Sequence, residues 1–242
     1  MDIDRRTFLG TTGVIAMTGL AGCSSVKGDV DLTADPVGLS SDQAADLEMQ
    51  LQEYIRDTQE QELARGGDET DPIMLEFELN ILTYASTVEG EQSNLAFVST
   101  GSHKIVGQEI NPVSKVTPRQ IIQNVTSIEQ QSDIEEIGTE TITHDEYGEL
   151  QITKYRTSIT QLGQEFNLIN YGLTEEIQDT VILGIGSHLE DNTQREESIK
   201  KGLQSFKVPT DAVSGVKPTD LADSTLSGVV DVEDINMEDL PI

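Results

Sequence analysis

Three histidines, one cysteine and a surplus of carboxylates are the residues of this 242-residue chain whose types suit chemistry. His144-Asp145-Glu146 and His188-Leu189-Glu190-Asp191 set carboxylates beside two of the histidines, the pairing that orients an imidazole as a base or a metal ligand. In so acidic a chain composition alone supplies such neighbours. His103 lacks them, and no His-Glu-x-x-His or comparable ligand spacing occurs. The sequence therefore assigns no catalytic residue, no metal ligand and no cofactor. His144 falls at a predicted turn, where solvent is its expected partner. Gly184-Ile185-Gly186 lacks the third glycine and following helix of a dinucleotide site, so a close backbone approach within a strand is the simpler expectation. Asp231, Glu233, Asp234 and Asn236 lack the glycine and spacing of a calcium loop. Asn124-Val125-Thr126 is a glycosylation sequon that export would make accessible, although its place inside a predicted helix argues against its use.

The cysteine is better explained by the segment before it. Leu9 to Leu20 contains Gly10, Thr11, Thr12, Gly13, Thr18 and Gly19, too short and polar a run to span a ~30 Å hydrocarbon core. Asp4-Arg5-Arg6-Thr7-Phe8-Leu9 resembles the twin-arginine export motif, with Asp4 where that family prefers Ser or Thr and Gly10 where Lys is common. Leu20-Ala21-Gly22-Cys23 is similar to the lipobox of lipoproteins, in which a peptidase cuts before the cysteine and its sulfur takes the lipid. The resemblance implies that Arg5, Arg6, Leu20, Ala21 and Gly22 form the export signal and that Cys23 carries the lipid. The expected location is then the extracellular face of the cell membrane, with the membrane as a partner through Cys23. A buried cysteine in an N-terminal helix is the alternative, and Gly13, Gly19 and Gly22 oppose that helix. Once Cys23 is lipidated, no thiol is left for a disulfide, a metal or nucleophilic catalysis.

Forty-four Asp and Glu against fifteen Lys and Arg give a net charge of -29. Self-repulsion on that scale opposes compaction in dilute buffer, whereas the screening length falls to about 3 Å at 1 M salt. With no Trp and few aromatics, the composition resembles that of a haloarchaeal protein; an acidic mesophilic protein is the alternative. Nucleic acid is excluded as a partner, because its phosphates need a positive surface.

The elements that must position any site follow from periodicity. The expected domains are a signal peptide over 1–22, a lipidated N-terminus and flexible tether over 23–41, a single α+β domain over 42–208, and an acidic disordered tail over 209–242. Ser40 with Gln43 predicts a capping box opening a helix that carries Ala44, Leu47, Leu51 and Ile55 on one face and stops at Gly66-Gly67. Thr117-Pro118-Arg119-Gln120 predicts a second helix, with Ile121, Ile122, Val125 and Ile128 inward. Thr193 with Glu196 predicts a third, with Ile199, Leu203 and Phe206 inward. Strands are predicted over Ile73 to Val88 and Asn94 to Val106, then four more from Ile137 to Leu189 with turns at Asp145-Gly148, Gly163 and Asn170-Glu176. Val181, Leu183 and Ile185 should be buried against the helix over 193–206. The expected fold is an antiparallel meander sheet covered by amphipathic helices, and its element order is similar to the α/β/α sandwich of PsbP-like lipoproteins.

Phe97-Val98-Ser99-Thr100, continuing to Val106-Gly107-Gln108-Glu109-Ile110-Asn111-Pro112, resembles a segment of haloarchaeal lipoproteins grouped as a domain of unknown function. That resemblance implies a secreted fold and transfers no catalytic residues. Two functions stay open. The favoured one is a non-enzymatic envelope module that binds a protein partner or small ligand, or assists assembly; the other is a secreted hydrolase with an unrecognised site.

Overall fold

The computed structural model describes residues 30–63, 73–88, 93–105, 108–110, 117–126, 134–161 and 164–220. The signal segment, Cys23, Gly66-Gly67, Asn111-Pro112, Ile128, Gly163 and the acidic run from Asp231 lie outside them, as do the side chains of His103 and Asn124. In chain order the elements are β1 (Val30–Leu32), α1 (Ser41–Asp46), β2 (Met49–Leu63), β3 (Ile73–Ser86), β4 (Ser93–Gly101), β5 (His103–Ile105), β6 (Gln108–Ile110), α2 (Pro118–Thr126), β7 (Ile134–His144), β8 (Gly148–Gln161), β9 (Gln164–Ile177), β10 (Thr180–Leu189) and α3 (Thr193–Ser205).

Two antiparallel meanders, β2-β3-β4 and β7-β8-β9-β10, join through the β4–β10 ladder into one sheet. Each is local in sequence because antiparallel neighbours need no crossover connection. The β9–β10 turn consists of Gln178 and Asp179 at φ 52° and 62°, the left-handed pair that a two-residue hairpin demands. It replaces the turn expected over Asn170-Glu176, which lies within β9. There Asn170 is buried and donates to Thr157 Oγ1 at 3.0 Å, and Gly172 leaves room for Pro118 of α2. Turn-like residue types had been recruited for packing.

The sheet buries both faces. On one, Ile182, Leu95, Phe97, Tyr171 and Leu173 pack with Ile199, Leu203 and Phe206 of α3 and its C-cap. On the other, Val181 and Leu183 pack with Ile55, Leu79, Ile81, Val98 and Ile121, while Ile185 meets Ile122 of α2, Ile134 and Tyr155. Val181, Leu183 and Ile185 are buried as expected, but on the α2 side. Side chains alternate along a strand, and it is Gly184 and Gly186 that face α3: a Cβ on Gly186 would lie 2.2 Å from Ile199 Cγ2. The close backbone approach expected of Gly184-Ile185-Gly186 is present.

The first helix is much shorter than predicted. The Ser40/Gln43 capping box forms, yet Leu47 is already the C-cap and Glu48 has φ 54°. From Met49 the chain runs as a strand along the whole of β3. A register shift between Leu51 and Glu53 sends Leu51 to the α3 side and Ile55 to the α2 side, so the i, i+4 spacing that reads as a helical stripe is produced by a bulge. Helix α2 keeps its expected capping box, with Thr117 N donating to Gln120 Oε1 at 2.8 Å and Gln120 N to Thr117 Oγ1 at 3.3 Å. In α3 the N-cap is Asn192, one residue before Thr193.

Both flanking segments are more ordered than a tether and a tail. Residues 30–39 join the body: Val30, Asp31 and Leu32 pair in parallel with Leu75, Glu76 and Phe77, and Val37 and Leu39 are fully buried. On the C-terminal side, Lys207 pairs with Gly38, Thr210 N donates to Pro36 O at 3.0 Å, and Thr219 bridges Ile55 on the outer edge of β2. The tail expected over 209–242 is thus docked as far as residue 220 because its backbone groups complete those of an otherwise open edge. One sheet, antiparallel except for β1, with three helices dominates the described residues.

Candidate functional site: the polar end of the α3 face

Cross-strand register gathers a set of polar side chains under the first half of α3. His188 of β10 is opposite Ser93 of β4, its neighbour Gly186 is opposite Tyr171 of β9, and Tyr171 is opposite Lys154 of β8. All four polar residues alternate onto the same face. The His188 ring stacks on Tyr171 at 5.9 Å with an interplanar angle of 18°. Lys154 and Lys200 place their Nζ atoms 5.3 and 5.6 Å from the Tyr171 ring centre, a cation–π arrangement. Glu196 of α3 accepts from both ammoniums, at 3.4 Å from Lys154 and 3.0 Å from Lys200, and Lys200 also reaches Glu140 at 2.6 Å. Beyond them Arg156 joins Glu190 at 2.9 Å and Glu135 at 3.0 Å.

These contacts fix the protonation states. His188 Nδ1 lies 2.7 Å from Leu189 O and must donate to it, which leaves Nε2 as a lone-pair acceptor. Burial pushes the His188 pKa down despite the Leu189 carbonyl and Glu196, and the imidazole is neutral at neutral pH. Burial opposes ionisation of Glu196 too, but the Lys200 hydrogen bond, the nearby Tyr171 hydroxyl and the two ammoniums outweigh it and bring its pKa to about 2. Burial first, and Glu196 second, raise the Tyr171 pKa. Among the described residues His188 Nε2, Ser93 Oγ and Tyr171 OH are buried polar atoms without a protein hydrogen-bond partner, and all three belong to this cluster.

The cluster places an imidazole acceptor and two hydroxyls on one buried face of the sheet. It lacks a formed nucleophile–base pair, because Ser93 and His188 are opposite in register without hydrogen bonding, and a backbone carbonyl, not a carboxylate, orients the imidazole.

His144, expected to face solvent, is buried at the other end of α3. Its Nε2 lies 3.1 Å from Phe206 O, and its Nδ1 accepts from Glu146 N at 3.0 Å and Tyr147 N at 3.2 Å. The ring packs on Phe206 and Tyr147 at 4.4 and 4.6 Å. Every ring nitrogen is used in holding the β7–β8 turn to the end of α3. The carboxylates adjacent in sequence play no such part for His144: Glu146 pairs with Lys207 instead. His188 likewise takes its carboxylate neighbour from α3 and not from the adjoining Glu190, which serves Arg156. No group of three or more His, Cys, Asp and Glu suited to a metal occurs among the described residues.

Sequence reasoning missed Ser93, Tyr171, Lys154 and Lys200 as companions of His188, since only strand register brings them together. It also missed Arg195, which is 2% exposed and joins α3 to the end of α1 through Glu48 at 2.9 Å and Leu47 O at 3.4 Å. The Glu196–Lys200 pair was legible, being four residues apart on one helix.

Comparison with known proteins adds a family but no activity. No curated protein matches the sequence. The crystal structure of LpqN, involved in cell envelope biogenesis of Mycobacterium tuberculosis, is similar over 69% of this chain and 96% of its own, at 9% identity and a TM-score of 0.29. That superposition is too loose to carry a fold or a function across. Residues 36–205 match the family described as a domain of unknown function (DUF6517), and the chain belongs to that family.

Proposed function

We propose that this protein is exported by the twin-arginine route, lipidated at Cys23 and held on the extracellular face of the cell membrane, where its sheet serves as a non-enzymatic binding or envelope-assembly module. The observation that carries this reading is Leu20-Ala21-Gly22-Cys23 downstream of Arg5-Arg6. The described body supports the module half: both nitrogens of His144 are spent on the fold, and the carboxylate beside His188 is tied to two lysines. Helices α2 and α3 on opposite faces support a layering like the α/β/α sandwich of PsbP-like lipoproteins. The net charge of -29 supports a halophilic habitat, which fits the haloarchaeal resemblance of the segment from Phe97. The partner is a protein or a small ligand rather than nucleic acid.

Membrane fractionation with mass spectrometry of the mature N-terminus tests the anchor. Wild-type protein should begin at a lipid-modified Cys23, Cys23→Ser should leave the membrane, and replacement of Arg5 and Arg6 by Lys should leave a cytoplasmic precursor. An unmodified wild-type thiol, or a Cys23→Ser protein that stays in washed membranes, defeats the reading. A hydrolase is the second reading, favoured only by the Ser93–His188 opposition. Covalent labelling of Ser93 by a serine-directed phosphonate, lost in His188→Asn, would establish it in place of the module.

A further inference from the structure

The geometry points to a second copy of this chain as the partner of the β7 edge: two β7 strands pair antiparallel about a two-fold axis through Thr141 and join two sheets into one. The sheet ends at β7, which pairs with β8 and with no other described strand. Every second residue of such an edge strand turns its N–H and C=O away from the sheet, a template for a further strand. Apart from the β8 ladder, no backbone hydrogen bond from another described residue reaches Gly138 to Thr143. Gly138, Thr139, Glu140, Thr141 and Thr143 are exposed, so this stretch is open to solvent.

Only part of the edge is fit for pairing. Ahead of Gly138, a register shift against β8 and the exposed Glu135 and Glu136 blunt it, as bulges and charges blunt edges in general. From Gly138 to His144 the ladder with β8 is regular. Glu140, the carboxylate of that stretch, is held by Lys200 Nζ at 2.6 Å. It faces α3 with Ile142, while Thr139, Thr141 and Thr143 alternate onto the other face.

Charge and length set the register. A two-fold antiparallel pair is self-complementary, and the residue on the axis meets its own copy. An axis through Glu140 would set two carboxylates opposite each other, which destabilises the pair. Thr141 is the midpoint of Gly138 to His144, so an axis there uses the whole regular stretch. Thr141 then meets the partner's Thr141, and Thr139 meets the partner's Thr143, favourable cross-strand pairs. Glu140 lies opposite the partner's Ile142. Past the paired stretch, Asp145 and Glu146 of one copy approach Glu136 of the other, a repulsion that salt of about 1 M screens beyond about 3 Å.

The test takes the full chain with Cys23→Ser, which leaves no cysteine, in salt of about 1 M. Light scattering after size exclusion should give twice the mass of one chain. Opposite Cα atoms of an antiparallel pair are about 4.5–5.5 Å apart, within disulfide reach. Under mild oxidation Thr141→Cys should therefore link to its own copy. Thr139→Cys and Thr143→Cys should link to each other when mixed, and neither to itself. Gln151→Cys, exposed one strand inside the edge, should stay unlinked. A one-chain mass overturns the proposal. So does a dimer that links at residue 151 as readily as at 141, because its interface then lies elsewhere.

Discussion

Ile199 of α3 sets its Cγ2 against the backbone of Gly186, at a point where a Cβ would lie only 2.2 Å away. The methyl branches from the Ile199 Cβ, whose χ1 is confined to one strongly preferred rotamer in a helix, so it can swing aside only at a cost. Gly186→Ala should therefore destabilise by about 1–3 kcal/mol, the usual cost of overpacking. Gly184→Ala should cost less, because its nearest obstacle is the terminal Leu203 Cδ2 at 2.9 Å. Chemical denaturation of both variants checks the order. Ile199→Ala combined with Gly186→Ala should cost less than the sum of the two single changes; strict additivity would mean that helix and strand are not in contact there.

Leu183 is 1% exposed on the opposite face from Leu203. Leu183→Ala should cost about 2–5 kcal/mol as a core truncation. Paired with Leu203→Ala, it should add to within about 0.5 kcal/mol, since the two side chains share no neighbours. A large coupling energy in denaturant titrations of the double variant would place both residues under α3 and refute the side assignment.

How much of this was legible depended on whether a signal was local. The capping boxes at Ser40/Gln43 and Thr117/Gln120 form because their partners are three residues apart. The four strands from β7 to β10 follow from period-two patterning, and the α3 stripe from its spacing. The errors share one cause, which is pairing over long distances in the chain. Leu51 and Ile55 read as one helical face until a bulge against β3 divides them. Burial parity on β10 was right, but which helix covers which parity is a handedness of connection that a period cannot encode. The candidate site shows the same limit: His188 was singled out for its sequence neighbours Glu190 and Asp191, whereas its working neighbours come from four other elements.

Salt should matter to this protein more than any single contact. A net charge of -29 repels itself over about 10 Å in 0.1 M salt and over only about 3 Å in 1 M. Ion pairs such as Arg156 with Glu135 and Glu190 engage few of the carboxylates. Circular dichroism in a salt series should show the fold lost on dilution and regained in brine. Equal stability at about 0.1 M and about 3 M would refute self-repulsion as the controlling term.

Acid should loosen α3 through two kinds of group. His144 and His188 sit under its two ends, and burial pushes both pKa values below the ordinary 6.5. The unfolded chain takes up protons at these sites near 6.5 while the folded chain does not, so the contribution is fully present above that pH and declines as pH falls below it. Each histidine can contribute a slope of at most about 1.4 kcal/mol per pH unit. For His144 the penalty is also geometric: protonating Nδ1 breaks its bonds from Glu146 N and Tyr147 N. The second kind is Glu196, whose folded pKa of about 2 lies below its ordinary 4.5; its contribution is present above 4.5 and is lost as pH falls toward 2. Denaturation midpoints against pH, at constant high salt, should thus begin to fall below pH about 6.5 and fall further below about 4.5. His188→Asn should shallow the first fall and leave His144 to account for the rest, and Glu196→Gln should weaken the second fall alone. A flat midpoint from about pH 7 to 5 in the wild-type protein would mean that neither imidazole is held neutral by the fold.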